Sequence, residues 1–166
     1  MAFAEYANYD AVGLAELVAN KDVTPLELLD EAVSRIEAHN PKLNAVVHTC
    51  FDRARDQAKG ELPDGPFRGV PFLLKDLKAQ DAGQPATGST KLSADYVPTE
   101  DCELVKRFKR TGVVILGRTN TPELGIYGVT EPAMRGPCRN PWDLDHTPGG
   151  SSGGTASAVA ARLVPM

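Results

Sequence analysis

Two features of this sequence place reactive side chains where chemistry could occur, and the first is a lysine that follows an apolar run. Residues 69–74 read Gly-Val-Pro-Phe-Leu-Leu, which predicts a short buried strand, and Lys75 and Asp76 come directly after it. In α/β sheets, ligands usually lie at the carboxyl ends of the strands. Partial desolvation disfavours the charged form of a lysine, so Lys75 could serve as a base near neutral pH. The alternative is a surface lysine that pairs with Asp76 or another carboxylate.

The second feature is a glycine-rich loop that contains two serines. Residues 149–154 read Gly-Gly-Ser-Ser-Gly-Gly and precede a predicted helix. Glycines let a backbone approach a ligand closely, and a helix N-terminus offers free N–H groups to negative charge. Two serines held there could take part in acyl transfer, but the same loop could hold a phosphate or form a flexible turn. It lacks the Lys-Ser/Thr ending of a P-loop, and no dinucleotide-binding glycine fingerprint occurs.

The elements that must position these side chains belong to two regions. The first 60 residues read as helical, with a helix over 12–20, a helix that begins at a capping box starting at Thr24 and ends at Asn40-Pro41, and a third helix over 51–59. Residues 45–48 could form a short strand between the last two helices.

From residue 69 onward, strands and helices alternate. Residues 100–110 predict a helix that stops at Gly112, and the β-branched run 113–116 predicts a strand covered on both sides. A helix followed at once by such a strand indicates a sheet with helices packed on it. The last helix, over 155–163, is apolar nearly all round, which indicates burial on several sides.

The composition excludes several classes of function. The 166 residues include 18 basic and 22 acidic side chains, so the chain lacks the basic surplus of a direct nucleic-acid binder. The three cysteines, Cys50, Cys102 and Cys138, show neither metal-ligand spacing nor a disulfide framework, which favours a reducing, cytoplasmic setting. No basic leader and no apolar run long enough to cross a bilayer is present, so no membrane association is expected.

Several other residues receive structural interpretations. The basic run 106–110 is interpreted as the solvated face of a helix, with its cations near the favourable C-terminal end of the dipole. Asp76 is expected to orient its surroundings through hydrogen bonds, and Trp142 is expected to pack rather than to bind. Cys138 is interpreted as a small buried residue, and His146 as a solvent-facing or hydrogen-bonding loop residue.

Four sequence blocks resemble the motifs of the amidase signature family. They cover residues 69–76, 117–125, 139–142 and 148–154, and they occur in the family's order. A serine-rich loop alone is common, whereas four such blocks in order are highly specific. The resemblance extends weakly back to about residue 12.

The resemblance implies a Ser–Ser–Lys triad, a variant of the activated-nucleophile arrangement of hydrolases. By its motif position, Lys75 is the general base. Ser151 matches the bridging serine, which in the family follows a cis peptide bond, here Gly150–Ser151, and relays a proton between the lysine and the nucleophile. Ser152 is a supporting hydrogen-bonding residue or a helix cap. No cofactor and no metal is implied.

In one respect the sequence departs from the family pattern. The family's nucleophilic serine lies beyond the bridging serine, in a second glycine-rich block that also supplies the oxyanion donors, and no such block follows Ser151 here. Ser157, among alanines in a predicted helix, is not a candidate. We therefore expect a single incomplete domain over 1–166, with a helical region over 1–60 and the start of the family core over 69–166. The expected fold is α/β, with N-terminal helices on part of a mixed, helix-covered sheet.

The function implied by the resemblance is hydrolysis of a small-molecule, non-peptide amide through an acyl-enzyme, although the isolated chain is expected to be inactive. One alternative is the A-type subunit of a glutamyl-tRNA amidotransferase, which needs partner subunits. The wording of residues 130–132 and 139–143 is closer to free-standing bacterial amidases. If the chain is complete, a non-catalytic anion-binding module or a remnant is the other alternative. The oligomeric state is left open, a homo-oligomer included.

Overall fold

Helices and a small sheet alternate along the chain. The computed structural model describes residues 3 and 5–166, and these residues form five α-helices and three β-strands. The helices are α1 (Ala11–Asn20), α2 (Pro25–Leu43), α3 (Phe51–Lys59), α4 (Glu103–Arg110) and α5 (Gly153–Ala160), and the strands are β1 (Val46–Thr49), β2 (Pro71–Lys75) and β3 (Val114–Thr119). Within the described part of the chain, no helix has the length and apolar composition needed to cross a membrane.

Helix α2 begins as predicted but ends later. Its capping box is complete, because the Thr24 hydroxyl accepts the Glu27 N–H while the Glu27 carboxylate accepts the Thr24 N–H. The predicted end at Asn40-Pro41 is wrong, since the helix continues to Leu43. The Asn40 carbonyl accepts the N–H of Asn44, and this bond closes the last turn despite the proline.

The three strands form a mixed sheet in the order β1-β3-β2. Strand β1 is antiparallel to β3, whereas β2 is parallel to it, with Lys75 paired to Thr119. Strand β3 is buried along its whole length and extends three residues beyond the predicted run 113–116. The parallel pairing places the carboxyl ends of β2 and β3 at the same edge of the sheet. The expected α/β fold with a mixed sheet is confirmed.

One hydrophobic core joins the N-terminal helices to the sheet. Its members come from α1, α2, α3, β2 and β3, together with Leu163 and Val164 near the other end of the chain. Helix α5 buries one face, formed by Gly153, Gly154, Ser157 and Ala158, while Ala156 and Ala160 are exposed. Burial of the last helix on several sides was therefore predicted only in part.

A buried carboxylate ties three segments together on one face of the sheet. Asp81, whose side chain is 1% exposed, forms ion pairs with Arg53 on α3 and with Lys109 on α4, the latter at 2.8 Å. Lys109 also pairs with Asp101 at 2.7 Å, so the prediction of a fully solvated basic face on α4 is wrong for this lysine. Burial alone would raise the pKa of Asp81, but the two cations outweigh it and hold that pKa below its ordinary value.

The first prediction concerns stability and its dependence on pH. Asp81→Asn should lower the free energy of unfolding by about 2–4 kcal/mol at neutral pH, because two part-buried cations lose their partner. Since the folded-state pKa is depressed, this contribution is complete above the unfolded pKa of about 3.9 and is lost as the pH falls through the folded value. The difference between wild type and variant should therefore shrink in acid.

Urea unfolding followed by circular dichroism at neutral and acid pH measures this difference. The control is Asp30→Asn, because Asp30 pairs with Arg55 at a site where the side chains are 52% and 35% exposed. We expect the control to cost less than about 1 kcal/mol. Equal losses for the two variants at neutral pH would contradict the role assigned to Asp81.

Candidate active site

Two elements distant in sequence bring Lys75 and Ser151 together. Lys75 ends β2, and Ser151 lies in the glycine-rich loop directly before α5. The Lys75 Nζ donates a hydrogen bond to Ser151 Oγ at 2.7 Å. Both residues are half-buried, and burial lowers the pKa of the Lys75 ammonium. A lysine with a lowered pKa in contact with a hydroxyl is suited to proton transfer.

Asp76 does not serve as an ion-pair partner for this amine. Its carboxylate is 1% exposed and accepts hydrogen bonds from the N–H and the hydroxyl of Thr87, at 2.9 and 2.6 Å. Its own N–H donates to the carbonyl of Thr119, at 3.1 Å. The interpretation that Asp76 orients its surroundings is confirmed, since these bonds fix the chain directly after Lys75.

The glycine-rich loop is held by threonine hydroxyls from two neighbouring segments. Thr121 Oγ1 donates to the carbonyl oxygen of Ser151 at 2.9 Å, and Thr130 Oγ1 donates to that of Gly149 at 2.8 Å. The peptide bond between Gly150 and Ser151 is cis, as the resemblance implied. The backbone of the loop is thus fixed on both sides of that bond.

Gly150 is required because another backbone segment passes close to it. A Cβ at this position would lie 2.8 Å from the carbonyl oxygen of Tyr127 and 2.9 Å from the carbonyl carbon of Gly128. Real Cβ atoms do not approach backbone atoms this closely. The loop can therefore lie against residues 127–129 only with glycine at position 150.

The end of β3 contributes polar residues whose role sequence reasoning missed. Thr119 Oγ1 lies 2.8 Å from Thr155 Oγ1 on α5, and the carbonyl of Asn120 accepts the N–H of Gly154. With Thr121, they form three consecutive polar residues that are fully buried. Three polar residues directly after a buried apolar strand were the available signal. They went unrecognised because the strand was predicted to stop at residue 116.

The remaining candidates take structural or peripheral positions. Ser152 is exposed at the N-cap position of α5, and its side chain does not cap the helix. Ser157 is buried and donates to the carbonyl of Arg139 at 2.8 Å. Cys138 is fully buried, as predicted, and His146 is exposed and bonded to a loop carboxylate. The prediction that Trp142 packs is wrong, because its side chain is 85% exposed.

The site is a two-residue polar contact at the surface. Two cavities of about 780 and 380 Å³ are lined by other residues. Among residues 3 and 5–166, no group of three or more His, Cys, Asp or Glu side chains is arranged to hold a metal ion. The half-buried Ser151 hydroxyl remains partly accessible, so it can exchange a proton with Lys75 on one side and with an added group on the other.

Comparison with known proteins assigns the family. The family model for amidases matches residues 27–166. The chain belongs to the amidase family. It is 44% identical over 159 residues to the 6-aminohexanoate-cyclic-dimer hydrolase of Paenarthrobacter ureafaciens, an alignment that covers 95% of this chain and 32% of that enzyme.

Two further relatives show how widely this amidase fold is shared. The solved structure of 6-aminohexanoate cyclic dimer hydrolase complexed with substrate superposes with a TM-score of 0.90 at 43% identity, covering 96% of this chain and 33% of that one. The A-type subunit of the glutamyl-tRNA(Gln) amidotransferase of Salinispora tropica is 37% identical over 170 residues, covering 98% of this chain and 34% of its own length. The chain thus spans about a third of the length of these relatives.

The second prediction tests the packing of the glycine-rich loop. Gly150→Ala should lower the free energy of unfolding by about 1–3 kcal/mol, because the added methyl group meets backbone atoms that cannot rotate away. Urea unfolding measures the change. Gly128→Ala is the control, since a Cβ there meets nothing within 4 Å, and it should change stability by less than about 0.5 kcal/mol. A Gly150→Ala variant as stable as the control would contradict the close approach described.

Proposed function

We propose that this chain supplies the general base and the bridging serine of an amide-hydrolysing Ser–Ser–Lys centre. The observation that carries the proposal is the 2.7 Å contact between Lys75 Nζ and Ser151 Oγ. The lowered pKa of Lys75 supports it, because a neutral amine can accept a proton. Membership of the amidase family supports it as well.

In the proposed mechanism, the proton moves along a chain of three groups. Neutral Lys75 accepts the Ser151 hydroxyl proton while Ser151 accepts the proton of a nucleophilic hydroxyl. That hydroxyl oxygen attacks the carbonyl carbon of the amide, and the proton returns through Ser151 to the departing nitrogen as the C–N bond breaks. Water then attacks the acyl ester with the same relay acting in the same order, which releases a carboxylic acid and restores the nucleophile.

The nucleophile and the oxyanion donors are proposed to come from the part of the amidase length that these 166 residues do not span. Residues around Ser151 leave its hydroxyl partly exposed, so a further segment can approach it. The isolated chain should then show no amide hydrolysis above the buffer rate. Turnover by the isolated chain that is lost in Lys75→Met would show instead that it contains its own nucleophile.

The proposed substrate is a small-molecule, non-peptide amide. The hydrolase of Paenarthrobacter ureafaciens, 44% identical, is named for a cyclic dimer of 6-aminohexanoate, which supports a linear or cyclic aliphatic amide. We place the protein in the cytoplasm, in accord with its three free cysteines, without nucleic acid or membrane as direct partners. A homo-oligomer is compatible with this proposal.

A second candidate is the amidotransferase A-type subunit. The 37% identity to such a protein over 98% of this chain favours it, since that relative belongs to a tRNA-linked assembly by its name. Affinity purification from the native source distinguishes the two candidates. Recovery of tRNA or of stoichiometric partner subunits supports the amidotransferase, and recovery of the protein without them supports the hydrolase.

The third prediction tests the hydrolytic role in a chimera. This chain replaces the matching N-terminal third of the 44% identical hydrolase, and hydrolysis of the 6-aminohexanoate cyclic dimer is measured as kcat/KM. The unsubstituted chimera should be active. Lys75→Met should lower kcat/KM by about a thousandfold or more, and Ser151→Ala by about a hundredfold or more, because each breaks the proton relay.

Matched controls separate the relay from general effects of charge and of hydroxyl loss. Lys106→Met removes an exposed lysine from α4, and Ser34→Ala removes an exposed hydroxyl from α2. Both chimeras should stay within about twofold of the unsubstituted one. A folded Lys75→Met chimera with activity within tenfold of its parent would rule out Lys75 as the base.

A further inference from the structure

The Arg118 guanidinium is a buried charge that the proposed relay does not use. Arg118 lies on β3, is 2% exposed, and belongs to the largest fully buried side chains of the described residues. Taking a cation out of water is costly unless its hydrogen bonds and counter-charges are well placed. The contacts of this side chain therefore indicate what it does.

Arg118 binds both ends of the turn that follows Lys75. Its Nη2 donates to the carbonyl of Ala79 at 2.7 Å, and its Nη1 donates to the carbonyl of Lys75 itself at 3.4 Å. Burial lowers the pKa of the guanidinium, while the carboxylates of Asp76 and Asp81 act in the opposite direction and favour its charged form. A planar fork thus closes over residues 75–79 from one side.

The fork lies on the face of the sheet opposite the serine loop. Thr119, the register partner of Lys75, contacts Thr155 on α5, which directly follows the loop with Ser151. Arg118 is the neighbour of Thr119 along β3, and successive side chains on a strand point to opposite faces. The backbone of Lys75 is therefore held from one face while its amine reaches Ser151 on the other.

We propose that Arg118 is a positioning residue for Lys75, and that its two hydrogen bonds fix the turn over residues 75–79 so that the Lys75 amine meets Ser151 Oγ. The catalytic consequence rests on the proposed function. Lysine at position 118 keeps the charge but lacks the planar fork, so it cannot bind two carbonyls in the same geometry. Loss of the fork lets the turn shift, and the Lys75 amine moves into solvent.

The test is a direct titration of Lys75 in the 166-residue chain. The protein is labelled with ¹³C-lysine, the Lys75 side-chain signal is assigned by its loss in Lys75→Met, and its pKa is measured by NMR in wild type, Arg118→Lys and Arg118→Gln. In both Arg118 variants the pKa of Lys75 should rise towards its ordinary value by at least about 0.5, because its amine becomes better solvated. Arg118→Lys is decisive, since a rise there cannot come from removal of the charge.

Arg53→Lys is the matched control, because Arg53 pairs with Asp81 and makes no hydrogen bond to the turn after Lys75 among the contacts described. It should leave the pKa of Lys75 within about 0.2 of wild type, whatever it does to stability. A folded Arg118→Lys or Arg118→Gln protein with an unchanged Lys75 pKa would overturn the inference and leave Arg118 a purely structural residue.

The same substitutions in the chimera connect position to rate. Arg118→Lys should lower kcat at least about tenfold with KM within about threefold, because proton transfer suffers and substrate contacts do not. Arg53→Lys should keep kcat within about threefold. An inactive unsubstituted chimera counts against the proposed function while the NMR titration still decides the role of Arg118. An unchanged Lys75 pKa counts against Arg118 while leaving the proposed function intact.

Discussion

The parallel register of β2 on β3 is the constraint on which the site depends. Because Lys75 pairs with Thr119, the strand that carries the amine ends beside the strand that continues into the buried residues 119–121. Those residues then contact α5 and the loop that carries Ser151. A slip of one residue would turn Lys75 to the other face of the sheet, away from the serine loop.

Buried polar groups at the strand ends act as connectors rather than as defects. Thr121 and Thr130 each donate to a carbonyl of the glycine-rich loop, and Asp76 accepts two hydrogen bonds from Thr87. A buried polar group without a partner costs about 1–3 kcal/mol, so each of these bonds also disfavours arrangements in which it is absent. Stability and the geometry of the candidate site are therefore maintained by the same bonds.

Sequence reasoning recovered what depends on local patterns. The capping box of α2, the apolar runs of β2 and β3, and the pairing of Lys75 with the serine loop by family motif all follow from short segments. The end of β3 was missed, because Arg118 and Thr119 are polar and only tertiary partners make their burial favourable. Lys109 was missed for the same reason, since its partner Asp81 lies far from it in sequence.

The same distinction separates what this chain can set from what it leaves to other groups. The contacts that hold the Lys75–Ser151 pair come from β2, β3, α5 and the loops between them, so the distance between base and bridging serine is a property of these residues. Substrate choice depends instead on groups that face the Ser151 hydroxyl. Beside the loop, Ile126 and Tyr127 are 70% and 62% exposed, and no enclosed cavity among those described surrounds the pair. Proton transfer and substrate recognition can therefore vary independently in proteins that share this segment.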